Sequence, residues 1–114
     1  MKIRNVVIEG RNKGEKIGFP TINLKIEDKA KNILEAGVYS GMVFWDGNSK
    51  KAGIFIRPDK EMLEAHILGF YGNLRGKTVE VEIGKKIREA INFSSDEELI
   101  SQIGRDIEKI TTIK

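Results

Sequence analysis

The residues whose types and spacing could do chemistry gather first near the start of the chain, in Gly10-Arg11-Asn12-Lys13-Gly14-Glu15-Lys16-Ile17-Gly18-Phe19-Pro20-Thr21-Ile22-Asn23-Leu24. Gly10, Gly14 and Gly18 permit positive φ and a close approach of backbone N–H groups, while Arg11, Lys13 and Lys16 add three positive charges. That is the chemistry of a phosphate cradle. Directly behind it, Thr21 and Asn23 stand two residues apart, on one side of an extended chain, so a hydroxyl and a carboxamide oxygen could complete the shell of a phosphate-bound Mg2+. By spacing alone, a solvated glycine-rich turn is an equally good reading. Two familiar designs are excluded. Gly18-Phe19-Pro20-Thr21 lacks the lysine and the following helix of a Walker loop, and glycines spaced four and four with no strand-helix-strand unit do not make a dinucleotide fingerprint.

Composition narrows the rest. A chain of 114 residues is read as one domain, 1–114, large enough for a single hydrophobic core. With 39% hydrophobic and 32% charged residues, and no apolar run near the roughly 20 needed to span a bilayer, neither a membrane nor a secretion signal is expected, and a cytoplasmic monomer is. Zero cysteines and one histidine exclude disulfides and thiolate metal sites, so any metal should be a hard cation held by oxygens. A net charge of +3 suits an anionic ligand but falls short of the basic stripes of nucleic-acid binders, so no nucleic-acid partner is expected.

The elements that must position these residues read mostly as strands. Ile3 to Ile8 is a β-branched run that enters the loop, and Ile22–Ile26 alternates. Residues 27–32 read as a charged, solvated connection. Gly37–Trp45 forms a strand, Asp46-Gly47-Asn48 a hairpin turn, and the return strand begins near Lys51 and breaks at Arg57-Pro58. Residues 61–70 contain good helix formers, but their alternation favours a strand that turns Met62, Glu64, His66 and Leu68 to one face and Leu63, Ala65 and Ile67 to the other. Val79, Val81 and Ile83 should face the core from the next strand, followed by a basic connection over 84–93 with short helical character. Ser94-Ser95-Asp96-Glu97-Glu98 is a capping-box signature, and Leu99, Ile100, Ile103, Ile107 and Ile110 form the apolar stripe of a helix that packs into the core. The expected architecture is mainly β: a small closed antiparallel barrel with a C-terminal α-helix.

The ordered pattern resembles the riboflavin kinase family from about Val6 to Ile110. Gly18-Phe19-Pro20-Thr21-Ile22-Asn23 is similar to the family's Gly-Phe-Pro-Thr-Ala-Asn signature. Gly37-Val38-Tyr39, Leu63-Glu64-Ala65-His66-Ile67-Leu68, Tyr71-Gly72 with Leu74-Arg75-Gly76, and Ile87-Arg88-Glu89 with Phe93-Ser94-Ser95 resemble four further family segments in order. The resemblance implies a Greek-key barrel of six strands that transfers the ATP γ-phosphoryl group to the 5′-hydroxyl of riboflavin, giving FMN and ADP. It further implies Thr21 and Asn23 as Mg2+ ligands and Glu64 as the base. Gly10, Arg11, Lys13, Gly14, Lys16, Gly18 and Pro20 become nucleotide contacts, and Arg88 and Phe93 flavin contacts. His66 receives no catalytic role. The family's bacterial members often carry an adenylyltransferase, for which 114 residues leave no room, so the expected product is FMN.

Departures from the family pattern are Glu15 in the loop, the absence of aspartates around Gly69-Phe70-Tyr71-Gly72-Asn73, and the shortened strand before Arg57-Pro58. They leave room for a rival reading, a non-catalytic barrel that binds a flavin or nucleotide. A basic RNA-binding barrel is a weaker one. Retention of Thr21, Asn23 and Glu64 together favours catalysis, since a pure binder needs no base.

Overall fold

Strict alternation of half-buried and buried residues along Met62–Ile67 makes this segment a strand despite its helix-forming composition, because only period two buries Leu63, Ala65 and Ile67 together. The computed structural model describes residues 1–10 and 16–113. Arg11, Lys13, Gly14 and Glu15 therefore lie outside the described residues. In chain order the elements are β1 (Lys2–Val6), β2 (Ile22–Lys25), α1 (Asp28–Lys31), β3 (Gly37–Trp45), β4 (Asn48–Ile56), β5 (Met62–Ile67), β6 (Thr78–Arg88) and α2 (Asp96–Thr112).

The six strands pair antiparallel in the order β1-β6-β3-β4-β5-β2. Strands β3, β4 and β5 follow one another as neighbours, and β6 returns to lie beside β3, which is a Greek key. Where the sheet curls back on itself, Ile8 bridges to Asn23 and its N–H donates to the Asn23 carbonyl at 2.9 Å. The Asn5 carboxamide adds a bond to the Lys25 carbonyl at 3.1 Å. The barrel is thus nearly closed by a few polar contacts between the exit of β1 and β2. Leu24, Ile26, Val43, Ala52, Ile54, Ile56, Leu63, Ala65, Val79 and Val81 fill its interior almost without exposure.

Four sequence expectations change. The return strand starts at Asn48, directly after Asp46 (φ 43°) and Gly47 (φ 79°), because two left-handed residues suffice for a tight hairpin whose twist matches the sheet. Residues 28–31 form one helical turn rather than a plain loop. The segment expected to be a connection from Gly84 instead prolongs β6 to Arg88 through irregular register against β3. Ser40 holds that irregularity: its hydroxyl accepts from the Lys85 N–H at 3.2 Å and donates to the Lys85 carbonyl at 3.3 Å, over Gly84, where a Cβ would lie 2.9 Å from the Ser40 carbonyl. Lastly, the apolar stripe of α2 is not all core. Ile110 is buried, but Ile100 is exposed and Leu99, Ile103 and Ile107 stand half-buried over an open cleft.

Three devices hold α2 over the sheet. Ser95 caps its N-terminus by accepting from the Glu98 N–H at 3.2 Å, while the Glu98 carboxylate reaches back to the N–H and hydroxyl of Ser94. At the other end the Lys51 ammonium on β4 donates to the Thr111 carbonyl at 3.3 Å and to the Ile113 carbonyl, satisfying terminal acceptors where the helix dipole is negative. In the middle, Arg88 at the end of β6 forks onto the buried Asp106 carboxylate, with Nε–O distances of 3.0 and 3.1 Å and a second nitrogen at 3.0 Å. Gln102 donates to the same carboxylate at 3.0 Å.

Removing one side of that pair should be costly, because the Arg88 cation would remain three-quarters or more buried without its counter-charge. Asp106→Ala is expected to lower stability in urea unfolding by about 3 kcal/mol, with Asp106→Asn retaining part of the bonding and losing less. A second expectation concerns the crossing of β3 over the core. A Cβ on Gly41 would come within 2.2 Å of the Glu82 carbonyl and 2.3 Å of Ile54 Cδ1, so Gly41→Ala should cost about 1–3 kcal/mol in the same experiment.

Candidate active site

Antiparallel register brings the chemistry-bearing residues together. Asn23 of β2 lies directly opposite Glu64 of β5, and Glu64 lies opposite Phe55 of β4, so the three form one row across the outer face of the barrel. Directly opposed side chains have Cβ atoms only about 4.5–5.5 Å apart. The adjacent row pairs His66 with Gly53, and one step beyond the β2 ladder the same register carries Thr21 to the level of His66. Two neutral oxygens and a carboxylate, separated by about forty positions in the chain, are thereby held on adjoining strands.

Glu64 and Phe55 of this row, with Thr21 and His66 of the next, form the floor of a cleft of about 580 Å³ roofed by α2, and Asn23 is not part of its lining. Its lining is mixed: Thr21, Arg57, Asp59, Glu64 and His66 are polar, and Val38, Phe55 and Phe93 with Leu99, Ile103 and Ile107 of α2 are apolar. Above the slot, α2 is tied to the sheet by Lys51 at its C-terminal end and by Arg88 through Asp106. Gly53 allows the C-terminal end to come down, where a Cβ would sit 3.0 Å from Ile110 Cδ1.

The expected metal ligands differ in setting. Thr21 lines the cleft, whereas the Asn23 carboxamide is 5% exposed and lies under Gly10, whose hypothetical Cβ would fall 2.3 Å from both Asn23 Cγ and Oδ1. A glycine at position 10 is thus required for the chain to cross the carboxamide. The donor set fits Mg2+: all candidates are oxygens, and the ion commonly takes one or two protein oxygens beside substrate phosphates and water. Among the described residues no group of three or more His, Asp or Glu is placed to hold a metal ion.

Of the expected nucleotide contacts, Gly10, Lys16, Gly18 and Pro20 are described, with Gly18 at φ 92° and Lys16 exposed at the rim. Arg11, Lys13 and Gly14 are expectations on undescribed residues. The expected flavin contacts meet at the helix end of the cleft, where the Arg88 guanidinium lies 5.6 Å from the centre of the Phe93 ring. Its Nε and one terminal nitrogen bond Asp106 and the other terminal nitrogen donates to the Glu89 carbonyl, so the guanidinium is held in place through all three nitrogens by contacts within the protein. Sequence reasoning missed Phe55, Asp106 and the cleft-lining role of Leu99, Ile103 and Ile107. Asp106 carried a signal: it stands three residues after Ile103 and four before Ile110, on the apolar face itself, where an acid implies a buried partner.

Among the described residues no helix is long and apolar enough to cross a membrane. The model of the riboflavin kinase family matches residues 1–114. The bifunctional riboflavin kinase/FMN adenylyltransferase of Buchnera aphidicola (subsp. Schizaphis graminum) is 38% identical over 112 residues, covering 90% of this chain and 35% of that protein. An RNA-binding riboflavin kinase of Bacillus subtilis is 32% identical over 113 residues, covering 92% and 47%. Among solved structures, one described as a macrolide-efflux protein from Streptococcus pneumoniae superposes with a TM-score of 0.82 at 25% identity, covering 99% of this chain and 37% of that one. A riboflavin kinase from Trypanosoma brucei gives 0.74 at 20% identity, covering 96% and 74%, a likeness of fold. The chain spans about a third of the length of the bifunctional relatives. With a family match over every residue, the chain belongs to the riboflavin kinase family.

Proposed function

We propose that this chain transfers the γ-phosphoryl group of ATP to the 5′-hydroxyl of riboflavin, giving FMN and ADP, with Mg2+ bound to the nucleotide. The observation that carries this reading is the pairing of Asn23 with Glu64 across β2 and β5, with Glu64 and Thr21 lining a cleft that also presents apolar side chains. A flat apolar ring system with a polyhydroxyl tail suits that mixed lining: the rings would lie between Phe55, Phe93 and the stripe of α2, and the tail would reach Glu64.

In the proposed reaction the Glu64 carboxylate accepts the proton of the ribityl hydroxyl as its oxygen bonds to the γ-phosphorus and the bond to the bridging oxygen of ADP breaks. An alcohol is a weak nucleophile until a base within hydrogen-bond reach takes its proton. Thr21 and Asn23 would hold the Mg2+, which supplies neutralisation of the phosphate charge. Gly10, Gly18 and Lys16, with Arg11, Lys13 and Gly14 beyond the described residues, would hold the phosphates, and Pro20 fixes the entry to β2. Arg88 and Phe93 would bound the flavin. The absence of cysteine suits a cytoplasmic setting, and a monomer is the proposed working form.

Incubating the purified protein with riboflavin, ATP and Mg2+ should yield FMN by chromatography. No FMN with any nucleoside triphosphate would overturn the kinase reading in favour of a non-catalytic flavin or nucleotide binder. Glu64→Gln is expected to lower kcat by about 10²–10⁴-fold while riboflavin binding persists, and full activity in that variant would remove Glu64 as base. Gly10→Ala should push the Asn23 carboxamide aside and raise the Mg2+ concentration for half-maximal activity by about tenfold.

A further inference from the structure

The proposed chemistry leaves His66, on this face, unused. It follows Glu64 by two positions on β5, and its Nδ1 lies 2.8 Å from the Pro20 carbonyl oxygen. A carbonyl can only accept, so Nδ1 carries the hydrogen and donates it. The Phe19 ring meets the imidazole edge to face, with centroids 5.6 Å apart at 82°, and limits its rotation.

The position of this bond matters because backbone pairing has just run out. The ladder of β2 with β5 ends at Ile22 opposite Ala65, and Pro20 has no N–H with which to extend it. The imidazole supplies from β5 the link that the backbone cannot. It seizes the peptide plane immediately before Thr21, and so sets where the Thr21 hydroxyl stands relative to Glu64, two residues away on the strand that carries the histidine.

We infer that His66 is a positioning residue: through the Pro20 carbonyl it holds Thr21, just beyond the end of the ladder, in place beside Glu64, and thereby sets the affinity for the metal–nucleotide complex rather than for riboflavin. This inference rests on the phosphotransfer reading above. His66→Leu keeps bulk and removes the donor, while in His66→Asn a carboxamide N–H can take the place of Nδ1–H.

Calorimetry with MgADP and steady-state kinetics on both variants and the wild type test it. The leucine variant should bind MgADP about tenfold more weakly and need correspondingly more Mg2+, with riboflavin affinity changed less than about twofold, and the asparagine variant should recover most of the loss. Unchanged MgADP binding in the leucine variant, an asparagine variant as impaired as the leucine one, or equal weakening toward both ligands would overturn the inference. A wild-type measurement covers the case of a variant that does not fold. The imidazole 15N resonances should report hydrogen on Nδ1 and a shift of that signal on adding MgADP, whereas hydrogen on Nε2 alone would overturn the inference. The two readings fail separately. A wild type that makes FMN beside an indifferent leucine variant sinks the positioning role alone, and a wild type that binds MgADP without forming FMN sinks the kinase reading.

Discussion

The pairing of β2 with β5 is the constraint on which the rest of the molecule depends. It consists of four residue pairs at the edge of the sheet, Ile22 with Ala65, Asn23 with Glu64, Leu24 with Leu63 and Lys25 with Met62. Two of these pairs face inward and complete the core, and Asn23 with Glu64 faces outward and composes the candidate site. Because side chains alternate with period two, a slip of one residue would drive Asn23 into the core and turn Leu24 to the cleft. The apolar interior therefore fixes the register of the face that carries the candidate site. Burial of Ile22, Leu24, Leu63 and Ala65 is what sets the carboxamide against the carboxylate.

The same ladder is where the barrel closes. Past Asn23 the sheet joins β1 by a single bridge at Ile8 and by the Asn5 side chain, a thinner seam than the long β3–β6 and β3–β4 ladders. A seam of few backbone bonds leaves room for the chain around Gly10 to pass over Asn23, and that passage demands a residue without a side chain. Short edge pairing and glycine crossing thus share one physical origin, the need to bring backbone close to the oxygens of β2.

A second assembly, α2 and its ties, turns this face into a cleft. Were the helix laid flat on the sheet, Leu99, Ile103 and Ile107 would enter the core and the outer face of β4 and β5 would be sealed. Instead the Arg88–Asp106 pair and the Lys51 contacts fix the helix by polar bonds at its middle and end, and its apolar side chains stand over open space. Ion pairs of this kind contribute less net stability than apolar packing would, but they hold a fixed geometry with defined partners. The half-covered apolar stripe gives the cleft a wall suited to a flat hydrophobic ligand.

Much of this was legible in the sequence, and for local reasons. Period-two alternation identified β5 and β6, left-handed Asp-Gly identified the hairpin after Trp45, and Ser95 with Glu98 identified the start of α2, since each signal depends only on neighbouring residues. The glycines and cations of the first loop, and Thr21 with Asn23 behind them, fitted a phosphate cradle and a solvated turn equally well by type and spacing. What the linear order withheld are relations across the chain. The irregular extension of β6 depends on Ser40, the openness of the helix stripe on Arg88 and Asp106, and the use of His66 on a carbonyl forty-six positions away. Sequence alone determined which residues could do chemistry, because chemical type is a property of the residue. Only the tertiary structure decided which of them stand together, because adjacency across strands is set by which apolar faces must be buried at once.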